Sequence, residues 1–142
     1  MPKELGQALG FTIYRTGLLL RPHLIRSLKK WQLTPEQWQT LATLTHHKRA
    51  MSQTELCSVT LTDKHAFSKM IDRMAKNGWV ERIADSNDGR SKLILATAKS
   101  KREIPEIILT LKKAFKPIWE QVPEKDQKMT AKVCAQLFKI LN

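Results

Sequence analysis

Five side chains, Lys64, His65, Ser68, Lys69 and Arg73, recur at spacings that gather them on one face of a helix, and Arg90 follows in a charged turn. Ammonium, imidazole, hydroxyl and guanidinium groups in this order form a set of hydrogen-bond donors suited to base edges and phosphates. They form no nucleophile–base–acid arrangement. His65 has no nucleophile at a useful spacing, and the chain contains neither a phosphate-binding glycine loop nor a zincin motif, so no catalytic residue and no enzyme activity is expected. His46 and His47 are adjacent, point apart on regular structure and lack an acidic or Cys partner, so no metal and no cofactor is expected either.

The element that must hold the five is an amphipathic helix. Phe67, Met70, Ile71 and Met74 fall at i, i+3, i+4 and i+7 and make one apolar stripe. Thr62 is the expected cap and Gly78 the left-handed stop, giving a helix over 63–77. Two runs of strand formers, 79–83 and 92–95, flank the turn cluster Asp85-Ser86-Asn87-Asp88-Gly89 and predict a hairpin. Gly89 is expected to allow a tight tip, Leu93 and Leu95 to hold the hairpin on the core, and Asp88 to orient an arginine. Upstream, Ser52-Gln53-Thr54-Glu55 matches a capping box, and the helix it opens would present Ser52, Gln53 and backbone N–H groups to a phosphate. A short capped helix, a turn at 60–62, a basic helix and a hairpin with an arginine at its tip are the parts of a winged helix-turn-helix.

The run SKMIDRMAKNGWVERIADSNDGRSKLILAT, 68–97, resembles the multiple-antibiotic-resistance regulator (MarR) family of bacterial transcription factors. The resemblance lies in Asp72-Arg73, in Gly78-Trp79-Val80-Glu81-Arg82, and in Asp88-x-Arg90 leading into alternating apolar residues, and extends more loosely over nearly the whole chain. Where the family has Leu-Thr-x-x-Gly after the wing, this chain reads Ala96-Thr97-Ala98-Lys99-Ser100. The resemblance implies a ligand-responsive repressor that binds a palindromic operator as a homodimer, with small aromatic or phenolic ligands between its DNA-binding and dimerisation regions. It also allows an oxidant-sensing Cys57, against the simpler reading of Cys57 and Cys134 as reduced, buried thiols. On this reading the DNA-binding residues are Ser52, Gln53, Thr62, Lys64, His65, Ser68, Lys69, Arg73 and Arg90. Lys64, His65, Ser68 and Lys69 enter the major groove, Arg73 clamps phosphate or pairs with an acid, and Arg90 reaches the minor groove.

The rest of the chain is read as support. Its 142 residues make one mainly α fold with a small β-wing: an N-terminal helical dimerisation segment at 1–32, the winged helix-turn-helix at 33–97 and a C-terminal helical segment at 98–142. Leu5, Leu9 and Ile13 lie on one side of the first helix and Phe11, Tyr14, Leu18, Ile25 and Leu28 on another, a double face that needs two partners. Pro22 should kink or break that helix near 18–20. Thr34-Pro35 starts a helix that puts Trp38, Leu41 and Leu44 inward, and 46–50 reads as a basic loop. Ile104, Ile107, Ile108, Leu111, Phe115 and Ile118 form a long stripe, with Pro105 and Pro117 expected to bend its ends. Pro123 opens a last helix carrying Met129, Val133, Leu137, Ile140 and Leu141. A formal net charge of +12 points to a polyanion. Double-stranded DNA is the favoured partner; the alternatives are a winged-helix module for acidic proteins and a basic membrane-surface protein. Without a bilayer-length apolar run or a secretory start, the expected location is the cytoplasm.

Overall fold

The computed structural model describes Glu4 and residues 8–142; Leu5 lies outside the described residues. Helix α1 is Leu9–Leu28, followed by a 3-10 turn at Lys29–Trp31. Next come α2 (Pro35–His47), strand β1 (Met51–Ser52), α3 (Gln53–Thr60) and α4 (Lys64–Lys76). The hairpin is β2 (Val80–Ala84) and β3 (Lys92–Ala96), and the chain ends with α5 (Ala98–Trp119) and α6 (Glu124–Leu141). The fold is mainly helical with a small antiparallel sheet, ordered β1-β3-β2.

The prolines act more gently than expected. α1 passes through Pro22 unbroken. Proline removes only the bond back to Leu18, and both residues lie on an exposed stretch where water can replace it. α5 likewise runs through Pro105 and Pro117. Pro123 is the N-cap of α6 and not its first residue. His46 and His47 belong to the last turn of α2, whose stop is Lys48 in the left-handed region at φ 53, so the expected loop is shorter by two residues.

The core sits inside the winged helix-turn-helix and takes in one end of each flanking helix. Leu41 and Leu44 of α2, Leu56 of α3, and Phe67, Ile71 and Met74 of α4 meet Leu28 from α1 and Ile104 and Ile107 from α5. Trp38 is half-buried against this cluster. Far from it the helices are uncovered. α6 contains no buried residue, and Tyr14, Leu18 and Leu19 on α1 and Ile140 and Leu141 on α6 are all more than half exposed.

Candidate nucleic-acid interface

Ser52 and Glu55 close the expected capping box. The Glu55 N–H donates to Ser52 Oγ at 3.2 Å and the Ser52 N–H to Glu55 Oε2 at 3.0 Å. Arg49 grips the same carboxylate with both terminal nitrogens at 3.2 Å, and this pairing, aided by the Ser52 N–H, holds the Glu55 carboxyl below its ordinary range. The first helix is thus fixed with its N-terminus outward.

Leu61, left-handed at φ 54, turns the chain into the second helix. Thr62 is not the cap there: its hydroxyl donates back to the Thr60 carbonyl at 3.2 Å. Asp63 caps instead, accepting from the His65 and Ala66 N–H groups at 2.9 and 3.0 Å. The bond from Ala66 is the main reason its carboxyl is lowered. Both residues are competent caps, and the turn through Leu61 leaves Asp63 facing the orphan donors. Gln53 helps to hold the two helices together, since one N–H of its amide donates to the Lys64 carbonyl at 3.3 Å.

Along α4, Phe67, Ile71 and Met74 are completely buried and Met70 is half-buried. Lys64, His65, Lys69 and Arg73 are exposed on the other side, with Ser68 half-buried among them. Among the described residues, Lys64, Lys69 and Arg73 form no ion pair. The neighbouring acid, Asp72, is taken by Arg82 of β2 at 2.7 Å, a strut between recognition helix and wing that sequence reasoning did not assign. The helix stops as expected: Gly78, at φ 78, donates to the Ala75 carbonyl, and the Trp79 N–H reaches the Met74 carbonyl at 2.8 Å.

The wing differs from expectation in three ways. Asp88 orients no guanidinium but builds the tip, accepting from the Arg90 N–H and the Ser91 hydroxyl, both at 3.0 Å. Gly89 has no left-handed backbone and open space where a Cβ would lie, so the aspartate, and not glycine freedom, shapes this turn. Ile94 and Ala96 are the buried residues of β3, whereas Leu93 and Leu95 are half-buried. β1 explains the register: Met51 pairs with Ile94 and Ser52 with Leu93, which fastens the start of α3 to the wing. The Arg90 guanidinium is exposed and in no ion pair among the described residues.

The junction after the wing is closely bonded despite its departure from the family pattern. Thr97 caps α5 and donates to the Gly78 carbonyl at 2.6 Å, and the buried Ser100 hydroxyl donates to the Trp79 carbonyl. Lys99 donates to the Asn77 carbonyl at 2.8 Å and lies over the Trp79 ring at 4.4 Å. A cleft of about 610 Å³ opens where α1 meets Pro35 and α5, lined by Ile13, Tyr14, Leu18, Leu24 and Phe115. Cys57 and Cys134 are half-buried, not buried, and burial pushes the Cys57 thiol up, which opposes thiolate reactivity. No helix among the described residues is long and apolar enough to cross a membrane.

A capped helix, a left-handed turn, a second helix with an outward basic face and a three-stranded wing define a winged helix-turn-helix protein. Residues 31–91 match the MarR family model, which supports the resemblance to that family of transcription regulators read from residues 68–97. It is 30% identical over 107 residues to the transcriptional activatory protein BadR of Rhodopseudomonas palustris. The match covers 74% of this chain and 61% of BadR, less than two thirds of that relative. Among solved structures, CouR from Rhodococcus jostii RHA1 bound to p-coumaroyl-CoA superposes with a TM-score of 0.83 at 19% identity, over 94% of each chain. The transcriptional repressor CouR bound to a 23-mer DNA duplex gives 0.80 at 21% identity, over 96% of each chain. At such identities these two likenesses show the fold.

Proposed function

We propose that the chain is a ligand-responsive repressor that binds an imperfect palindrome in double-stranded DNA as a homodimer, with half-sites about 10 base pairs apart. One observation carries the reading. The recognition helix buries Phe67, Ile71 and Met74 completely while Lys64, Lys69 and Arg73 on its outer side form no ion pair among the described residues. Lys64, His65, Ser68 and Lys69 read base edges, while Arg73, Thr62, Gln53 and the N-terminus of α3 at Ser52 meet phosphate, and Arg90 enters the adjacent minor groove. The exposed apolar faces of α1 and α6 support segments 1–32 and 98–142 as the dimerisation unit around 33–97. BadR is described as activatory and CouR as a repressor; repression is proposed because occupying an operator needs no further contact surface.

The cleft between α1, Pro35 and α5 is the proposed place for a small aromatic ligand, which would lie against the Tyr14 and Phe115 rings that line it. Selection of bound duplexes from a random pool, repeated with phenolic acids and with p-coumaroyl-CoA, tests the whole reading. Enrichment of a two-fold-symmetric site that a ligand abolishes is the expected result. A pool that never departs from random sequence refutes specific recognition.

A further inference from the structure

Helix α6 sorts its side chains by charge around its axis. Gln127, Val133, Cys134 and Leu137 share the side turned to the rest of the chain, and all four are half-buried. Lys125, Lys128, Lys132 and Lys139 fall within an arc of roughly 60° on the opposite side, and each is exposed. At the rise of an α-helix they form a row about 21 Å long. The acids of the helix, Glu124 and Asp126, both lie in its first turn. Glu124 pairs with Lys128 at 2.7 Å, but both side chains are largely exposed and such a pair exchanges readily with another anion. Lys125, Lys132 and Lys139 form no ion pair among the described residues.

The row serves neither the helix nor the core. Lys125 stands near the positive end of the helix dipole, where a cation is unfavourable, and Lys139 alone of the four is in the last turn, where one helps. Lys128 and Lys132 are like charges at i, i+4, a spacing at which they repel. No residue of α6 belongs to the core cluster, and the helix begins beyond Trp119, about 18 Å along α5 from the buried Ile107. The Gln127 amide fixes that start by donating to the Trp119 and Val122 carbonyls, both at 2.8 Å.

We propose that the lysine row of α6 is a second polyanion surface, which holds the phosphate backbone of duplex DNA without reading its sequence. Ammonium groups are point charges that lack the planar fork of arginine, so the row selects charge density and not a pattern of acceptors. Duplex DNA carries one charge per roughly 1.7 Å of axis, which sets about a dozen phosphate charges against a row of this length. A helix that lies in a membrane surface buries its apolar face in the lipid. Here Val133 and Leu137 are turned to the protein, opposite the lysines, so a bilayer would be held by charge alone. The surface goes beyond the operator reading and does not require it.

The test is the fluorescence anisotropy of a labelled random-sequence duplex, titrated with the full chain between about 50 and 200 mM salt. Lys64→Gln/Lys69→Gln/Arg73→Gln, which strips the outer face of α4, should still bind. Adding Lys125→Gln/Lys128→Gln/Lys132→Gln/Lys139→Gln should lower the slope of log K against log salt by about 0.9 for each lost contact, about 3.6 in all, and arginine at the same four positions should restore it. Circular dichroism checks that each variant is folded. If the α4 variant binds as the parent does, the operator reading fails and the row stands. An affinity and slope unchanged by the four glutamines, or loss of all duplex binding in the α4 variant alone, would overturn the row as a DNA surface. So would lysine-dependent sedimentation with phosphatidylserine–phosphatidylcholine vesicles that competing duplex does not reverse, which would assign the row to membranes.

Discussion

Arg90→Ala isolates the wing, because the tip does not depend on the side chain removed. Asp88 holds the tip through the backbone N–H of residue 90 and the Ser91 hydroxyl, and the guanidinium forms no ion pair among the described residues. Stability should therefore change by no more than about 0.5 kcal/mol. Binding should change much more. Each lost phosphate contact lowers the slope of log K against log salt by about 0.9, so between 50 and 200 mM salt, a fourfold change, one contact accounts for about 3.5-fold and two wings per dimer for about 12-fold. Fluorescence anisotropy on the selected operator across that range measures both affinity and slope, and light scattering checks that parent and variant have the same oligomeric state. Arg90→Lys adds a second arm: it should restore the slope but not the affinity for A·T-rich flanks, since an ammonium is more strongly hydrated than a guanidinium. Salt plots of parent and Arg90→Ala with the same slope and height would show that the wing does not touch DNA.

The remaining predictions concern single positions. Ser52→Ala should cost about 1 kcal/mol by urea denaturation because it opens the capping box, whereas Ser52→Asp should keep the cap yet weaken DNA binding by placing a charge at the phosphate site; equal binding by both variants would remove Ser52 from the interface. Gly78→Ala should destabilise by about 1–2 kcal/mol because its φ of 78 is left-handed, while Gly89→Ala should be neutral or stabilising by up to about 1 kcal/mol; matching melting temperatures would contradict the backbone argument. The Arg21 hydrogen bond at 2.7 Å is the chief reason Glu36 has a lowered pKa, so its contribution is present above the unfolded value near 4.5 and is lost as pH falls through the lower folded value. Glu36→Gln should lower stability at neutral pH by at most about 1 kcal/mol for this partly exposed pair, leave it nearly unchanged at low pH where the parent carboxyl is protonated, and so flatten the acid limb of the stability–pH curve; an acid limb as steep as the parent's would show that other carboxylates dominate.

The recognition helix was legible because a stripe at 67, 70, 71 and 74 has only one way to bury itself, and Gly78 marks its end without competition from neighbours. The wing was less so. Leu93, Ile94 and Leu95 are consecutive apolar residues, so a period of two assigns no face, and the assignment is made by the sheet: Val80 pairs with Ala96 and Arg82 with Ile94, and Val80, Ile94 and Ala96 belong to the buried core. The same register brings Arg82 to Asp72, an ion pair invisible in a sequence where the two lie ten residues apart. β1 was missed because two residues carry no periodic signal, and they become a strand only through the edge that β3 offers. Thr62 was preferred to Asp63 as cap because propensity ranks both highly, and the deciding turn at Leu61 has no sequence mark: leucine rarely adopts a positive φ.

The net charge was a weaker guide to the interface than it looked. Residues 33–97 hold nine Lys and Arg against seven Asp and Glu, a net of +2, so the remaining +10 of the +12 lies in the flanking helical segments. What suits the winged unit to a polyanion is how its charges are sorted. Six of its seven acids already accept hydrogen bonds: Glu36 from Arg21, Glu55 from Arg49, Asp63 from the α4 N-terminus, Asp72 from Arg82, Asp85 from the Asn87 N–H, and Asp88 from the wing tip. Only Arg49 and Arg82 among the unit's cations are consumed in these pairings, which leaves Lys64, Lys69, Arg73 and Arg90 available to a ligand. The flanking charge raises encounter rates with any polyanion through the long-range field, whereas on the proposed reading discrimination between sequences rests on the few cations and hydroxyls of the outer face of α4.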